Sequence, residues 1–98
     1  MKLQIHSIHF DADVKLLDYI QKKADKLDQY FDRIVSGEVF LKLNNSGVEN
    51  KTVEMKINMP GNQLFAAGQS STFELAVDKA IEGLRRQVKK HKERTGSH

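Results

Sequence analysis

The chain opens with a short alternation in which Leu3 and Ile5 fall between Lys2, Gln4 and His6. A period of two sends successive side chains to opposite faces, so Lys2 to His9 reads as a half-buried strand. From Asp13 the period changes. Leu16, Leu17, Ile20, Ala24, Leu27 and Phe31 recur at steps of three and four, which predicts a helix over Val14 to Phe31 with one apolar side. The Asp13 carboxylate can accept an unpaired amide of its first turn. Ser36-Gly37 interrupts this pattern, and Val39, Leu41 and Leu43 then alternate with Glu38, Phe40, Lys42 and Asn44 as a second strand. Asn44-Asn45-Ser46-Gly47 has turn chemistry, because glycine and asparagine tolerate positive φ. Beyond it Val53, Met55, Ile57 and Met59 alternate with Thr52, Glu54, Lys56 and Asn58 as a third strand. Pro60-Gly61-Asn62 signals the next turn, and the short apolar run Leu64 to Gln69 predicts a fourth strand. Ser71-Thr72-Phe73-Glu74 matches a capping box, in which the Ser71 hydroxyl takes a free amide and Glu74 reaches back to the Ser71 amide. Phe73, Val77, Ala80, Ile81, Leu84 and Val88 form the apolar stripe of a second helix, which Gly83 weakens by up to about 1 kcal/mol relative to alanine. Thr95 to His98 are expected to fray as a disordered tail.

The predicted fold class is therefore α+β in the order β-α-β-β-β-α: a four-stranded sheet with two helices on one face. Alternation along the strands leaves the other face to solvent. A helix between the first two strands makes a parallel, right-handed crossover, and the turns that follow make antiparallel hairpins. Leu16, Ile20, Leu27, Val77, Ile81 and Leu84 should sit in the core. With 98 residues and 39% apolar content the chain has material for one modest core, so residues 1–94 are expected to form a single domain. It has no cysteine, and no apolar run approaches the roughly 20 residues a membrane span needs. The first ten residues alternate where a signal peptide would be continuously apolar. A reducing, cytoplasmic setting is the expectation.

Charge changes this picture, because it is unevenly placed. From Lys79 to Arg94 seven basic residues (Lys79, Arg85, Arg86, Lys89, Lys90, Lys92 and Arg94) face only Glu82 and Glu93, whereas the remainder holds nine basic and eleven acidic residues. On the second helix Lys79, Arg86 and Lys90 lie on one side of the solvent face and Arg85, Lys89 and Lys92 on the other. On the first helix Lys15, Lys22, Lys26 and Arg33 share one stripe and Asp18, Asp25, Asp28 and Asp32 another. Cations at helical spacing can each meet a phosphate oxygen and release condensed counterions, so a polyanion such as structured RNA is the expected partner. A membrane-surface helix competes for this reading, but the apolar stripe it needs is already required to cover the sheet.

Other chemistry is thinly represented. There is no GxSxG, GxxxxGK[ST] or HExxH, and no catalytic role is expected. His6 and His9 are three apart on a strand and point to opposite faces, which argues against a shared metal. His91 falls on the apolar side of the second helix and is expected to pack there or to cap the helix carbonyls. Asp78 and Glu82 resemble paired carboxylates, but are expected to bond Lys79, Arg85 or Arg86 nearby.

Two segments carry a family resemblance. Lys26-Leu27-Asp28-Gln29-Tyr30-Phe31-Asp32-Arg33-Ile34 closes the first helix. The other runs from Ala76-Val77-Asp78 through Arg86-Gln87-Val88-Lys89-Lys90-His91-Lys92. With the element order they cover nearly the whole chain, which resembles the ribosome hibernation-promoting factor and ribosome-associated inhibitor family, also called sigma-factor modulation proteins. The resemblance implies the same β-α-β-β-β-α fold, and a sheet with two helices is in turn similar to double-stranded-RNA-binding domains. The family resemblance also implies binding to the small ribosomal subunit and its 16S rRNA, in the mRNA and tRNA path near the decoding centre. The basic residues of both helices that contact RNA in that family correspond here to Lys22, Lys26, Arg33, Lys79, Arg86, Lys89, Lys90 and Lys92; charge mapping adds Arg85. The chain is expected to be a short-form member without a dimerisation domain, monomeric off the ribosome, and free of cofactors and small-molecule substrates. A stand-alone RNA-binding or ribosome-maturation module is the first alternative, and a domain gripping an acidic protein the second.

Overall fold

Each alternating run and each three-four stripe becomes the element it predicts. The order is β1 (Lys2–Ser7), α1 (Val14–Tyr30), β2 (Ser36–Leu43), β3 (Lys51–Met59), β4 (Asn62–Ser70) and α2 (Phe73–Gly96). The computed structural model describes residues 1–44 and 47–96. Part of the expected turn, Asn45-Ser46, lies outside the described residues, as do the Arg94 side chain and, of the expected tail, Ser97 and His98. Thr95 and Gly96 continue α2.

The four strands form one sheet in sequence order. β1 pairs with β2 in parallel, since the α1 crossover returns the chain to the same end. The hairpins make β2–β3 and β3–β4 antiparallel. Val39, Leu41, Val53, Met55 and Ile57 are fully buried on the helix side and join the stripes of both helices in one hydrophobic cluster. All six expected core residues belong to it, none more than 8% exposed. Leu43 is the exception among the inward positions, being exposed at the end of β2.

Small residues let α2 lie close on β4. A Cβ added at Gly68 would stand 2.2 Å from the Ala76 carbonyl oxygen, and one at Gly83 would stand 3.0 Å from the Ala66 Cβ. Gly83 is thus more than a weak point in a helix: its bare backbone is the surface that meets the sheet.

Contacts between the helices run in step along both. Phe10, just before α1, stacks on Phe73 at 5.0 Å; Tyr19 donates to Asp78 at 2.6 Å; Phe31 meets His91 edge-on at 5.7 Å. The helices therefore point the same way, and the end of α1 comes to rest beside the basic half of α2.

Three local expectations shift: β1 stops at Ser7, so His9, at φ 66°, lies beyond the strand, and two helix ends move. α1 ends at Tyr30, and Phe31 is its cap, with φ −148° while its amide still bonds the Leu27 carbonyl. Arg33 therefore lies beyond the helix and does not extend the Lys22-Lys26 stripe. At the start of α2 the cap is Thr72, not Ser71. The Thr72 hydroxyl accepts from the Leu75 amide at 3.2 Å and its carbonyl from the Ala76 amide at 3.1 Å. Phe73 must bury its ring against Phe10, which sets the first helical residue and moves the cap by one position, leaving Glu74 out of capping-box register.

Candidate functional site

The apolar stripe of α2 faces the sheet, which holds Lys79, Arg85, Arg86, Lys89, Lys90 and Lys92 out in solvent. The two sides of that solvent face have different neighbours. Lys79, Arg86 and Lys90 line a shallow cleft over Ala66 and Ala67 of β4. Lys79 donates to the Gln69 carbonyl at 2.8 Å, and Gln87 donates to the Phe65 carbonyl at 2.6 Å, so this side is fastened to the strand backbone.

The other side looks onto α1. A groove of about 370 Å³ between the helices is lined by Lys23, Lys26, Tyr30, Asp78, Glu82 and Arg85, with Leu27 and Ile81 at its floor. A second cleft joins Tyr30 to Arg85, Arg86 and Lys89. A third, at the end of α1, holds Tyr30, Arg33, His91 and Lys92. Tyr30 lines all three. The Arg85 guanidinium lies 5.4 Å and the Lys92 ammonium 4.7 Å from its ring centroid. Both distances suit cation–π attraction.

The physics of a helix end accounts for part of this gathering. The last carbonyls of α1 have no partner within the helix and carry its partial negative charge, yet its last turn contains no basic residue. Lys92 of α2 supplies one, donating to the Tyr30 carbonyl at 3.2 Å.

One of the two carboxylates of the groove, Asp78, is held differently from the sequence-based expectation. Asp78 pairs across to α1: it accepts the Tyr19 hydroxyl and lies 3.4 Å from the Lys23 ammonium, which also sits 5.3 Å from the Tyr19 ring centroid. The parallel packing of the helices brings Tyr19 and Lys23 of α1 up to Asp78. The Asp78 carboxylate accepting its proton, together with burial, pushes the Tyr19 phenol up to about 12. Glu82 does bond Arg85 as expected, at 3.7 Å on the surface. His91 packs on Phe31 as expected.

The fold thus brings Lys26, Arg33, Arg85, Arg86, Lys89 and Lys92 around Tyr30, and sets Lys79 and Lys90 on the β4 side. Lys22 is exposed one turn before Lys26 and lines none of these clefts. The sequence reading did not single out Tyr30, Lys23 or Tyr19 for the site. The helical wheel held a usable signal. Lys23 lies between Ile20 and Leu27 at the border of the apolar stripe, and Tyr30 follows Lys26 by four. A packed edge position bearing a cation or a phenol is where a second helix can reach it. Among the described residues no group of three His, Cys, Asp or Glu could hold a metal ion. No helix among the described residues is long and apolar enough to cross a membrane.

Residues 3–95 match the family described as sigma 54 modulation protein / S30EA ribosomal protein, and the chain belongs to that family. Its relatives include the ribosome hibernation promoting factor of Escherichia coli strain K12, 30% identical over 98 residues, which are the whole of both chains. The ribosome hibernation promoting factor of Pseudomonas putida strain KT2440 is 29% identical over 97 residues, covering 99% of this chain and 92% of the relative. Among solved structures, a ribosomal subunit interface protein from Coxiella burnetii superposes with a TM-score of 0.85 at 23% identity, over 94% of this chain and 98% of that one. The N-terminal domain of Protein Y from Thermus thermophilus does so with a TM-score of 0.81 at 24% identity, over 93% and 99%. These two establish the shared fold.

Proposed function

We propose that this chain is a ribosome hibernation factor. It binds rRNA of the small subunit in the mRNA and tRNA path near the decoding centre, and blocks translation by occupying that path. The observation that carries the reading is the cationic surface assembled from two helices around Tyr30, on a fold whose full-length relatives are named for ribosome hibernation. Lys26, Arg33, Arg85, Arg86, Lys89 and Lys92 are the central phosphate contacts, with Lys22, Lys79 and Lys90 at the margin. The protein acts as a cytoplasmic monomer, by binding and without a cofactor, its apolar stripes being used inside the domain.

Binding of this kind is electrostatic. If about six phosphates are neutralised, log affinity falls against log salt with a slope of roughly −4 to −5.5. The test is co-sedimentation with small subunits and in-vitro translation for the wild type and for Lys89→Glu with Lys90→Glu. Both residues are exposed and leave the core untouched, so circular dichroism and melting should be unchanged while binding drops tenfold or more. A folded double variant that binds and inhibits like wild type rejects the mechanism. Binding to free RNA without inhibition of translation would favour a maturation module.

A further inference from the structure

The far face of the sheet carries no helix, and its outward positions are mostly polar. Three rings nevertheless stand on it. Phe65 of β4 is 47% exposed. On β1 and β2 the His6 and Phe40 rings stack, 4.9 Å apart and 17° from parallel, and the His6 side chain is 41% exposed. Lys56 of β3 lies between these sites. It pairs across the strands with Phe65, and its ammonium is 5.6 Å from the Phe40 ring centroid.

The charges of this face select among ligands. Glu38 is bonded to His6 at 3.2 Å, and Glu54 to Lys42 at 2.9 Å. Each carboxylate therefore has a local partner, while no ion pair among the described residues engages Lys56. Glu38 stands opposite Lys56 across the strands but is bonded to His6, and a cation with no ion pair of its own, set between rings on an open sheet, matches a ligand with flat apolar faces joined by anionic links. Unpaired nucleotides have that character: each base offers a π-face, and each linkage a phosphate. A duplex does not, because its bases already stack on one another. An apolar protein partner would call for a contiguous greasy patch, and here Lys56 and Glu54 separate the rings. Phe40 and Phe65 are two strands apart and offset by two residues, about 12 Å from strand geometry. One base cannot cover both.

We propose that the open face of the sheet is a second nucleic-acid site, which stacks unpaired bases of single-stranded RNA on Phe65 and on the His6–Phe40 pair, with Lys56 holding a phosphate between them. This site is separate from the helix surface and does not rest on the function proposed above. It makes the domain two-sided, with phosphates of folded RNA on one face and a flexible strand on the other.

The test uses the full chain and fluorescence anisotropy with two probes: a labelled oligouridine of about ten nucleotides, within the span such folds cover, and an RNA duplex of roughly 16 base pairs. Phe65→Thr keeps a strand-forming residue and touches no core, and Phe65→Trp restores a stacking surface; melting checks that both fold. The threonine variant should weaken oligouridine binding roughly 5- to 150-fold, the range for one base–ring contact, and the tryptophan variant should recover it. Duplex affinity should stay within about twofold. Lys56→Gln should make the oligouridine salt slope shallower by about 0.7. Lys89→Glu with Lys90→Glu should spare oligouridine while losing the duplex. The proposal is overturned if wild type does not bind oligouridine, if Phe65→Thr binds it unchanged, or if the helix variant abolishes it. Light scattering that shows a dimer dissolved by Phe65→Thr would overturn it too, by assigning the face to a second copy.

Discussion

The two sides of α2 carry three basic residues each and differ in what surrounds them. On the β4 side Lys79 is tied to the Gln69 carbonyl and Gln87 to that of Phe65, above two glycines that bring helix and strand together. On the α1 side Arg85 and Lys92 stand by the Tyr30 ring, with Lys26 and Lys89 along the same clefts. One side fixes the helix to the sheet, and on the other Lys92 fixes it to the end of α1. This second side gathers cations from two elements at spacings a single helix cannot produce. Equal numbers of cations along one helix therefore meet unequal surroundings in the fold.

The largest effect should come from disturbing the β4 side. Gly68→Ala drives a methyl group against the Ala76 carbonyl oxygen, which is backbone and cannot swing away. A loss of about 3 kcal/mol, seen as a melting temperature lower by roughly 15 °C, is expected. A melting temperature within a few degrees of wild type would mean that α2 is not seated on β4 as described.

Next comes a direct contest between the sides. Neutralising Arg85 and Lys89 to glutamine should cost about tenfold in small-subunit affinity, and neutralising Lys79 and Lys90 in the same way only about threefold, because each lost phosphate contact matters most where contacts are dense. Equal losses, measured by co-sedimentation at one fixed salt concentration, would erase the distinction.

A smaller effect, about 1 kcal/mol at neutral pH, is expected when Tyr19→Phe removes the hydroxyl that Asp78 accepts. Its pH dependence tests the cause. The folded-state pKa lies above the ordinary 10, so the contribution is fully present below pH 10 and disappears as pH rises through about 12. Urea melts of wild type and variant should differ by a constant amount up to pH 10 and converge above it. A gap that stays constant to pH 12 would show that the phenol is not held through its proton.

The smallest change sharpens the role of Gly83. Alanine there gains up to about 1 kcal/mol of helix propensity but meets the Ala66 methyl at 3.0 Å. The two effects should offset to within about 0.5 kcal/mol. A full gain near 1 kcal/mol would show that the helix has room above the strand.

Much of the fold was legible because it is written in local periods. Val53, Met55, Ile57 and Met59 could be read as one face of a strand, and Leu16, Ile20 and Leu27 as one side of a helix, before any partner was known. The end of α1 was nearly legible too, missing by the one residue at which Phe31 turns out of the helix. The candidate site was legible as charge but not as geometry. Seven cations between Lys79 and Arg94 are visible at once; that Tyr30 is the ring around which some of them assemble is not, since it depends on two helices running side by side in one direction. The same packing decided that Asp78 bonds Tyr19 and Lys23 across a gap of more than fifty positions. It also decided that Thr72 and not Ser71 caps α2.

By itself the sequence determined the element order, the inward faces, the core and the segment where positive charge accumulates, since all of these follow from residue type and spacing along a helix or strand. The tertiary structure alone decided which cations gather around Tyr30 and which lie over β4, what Gly83 is for, and which rings stand on the open face. Those depend on what approaches from another part of the chain, and distance along a sequence carries no measure of approach in space.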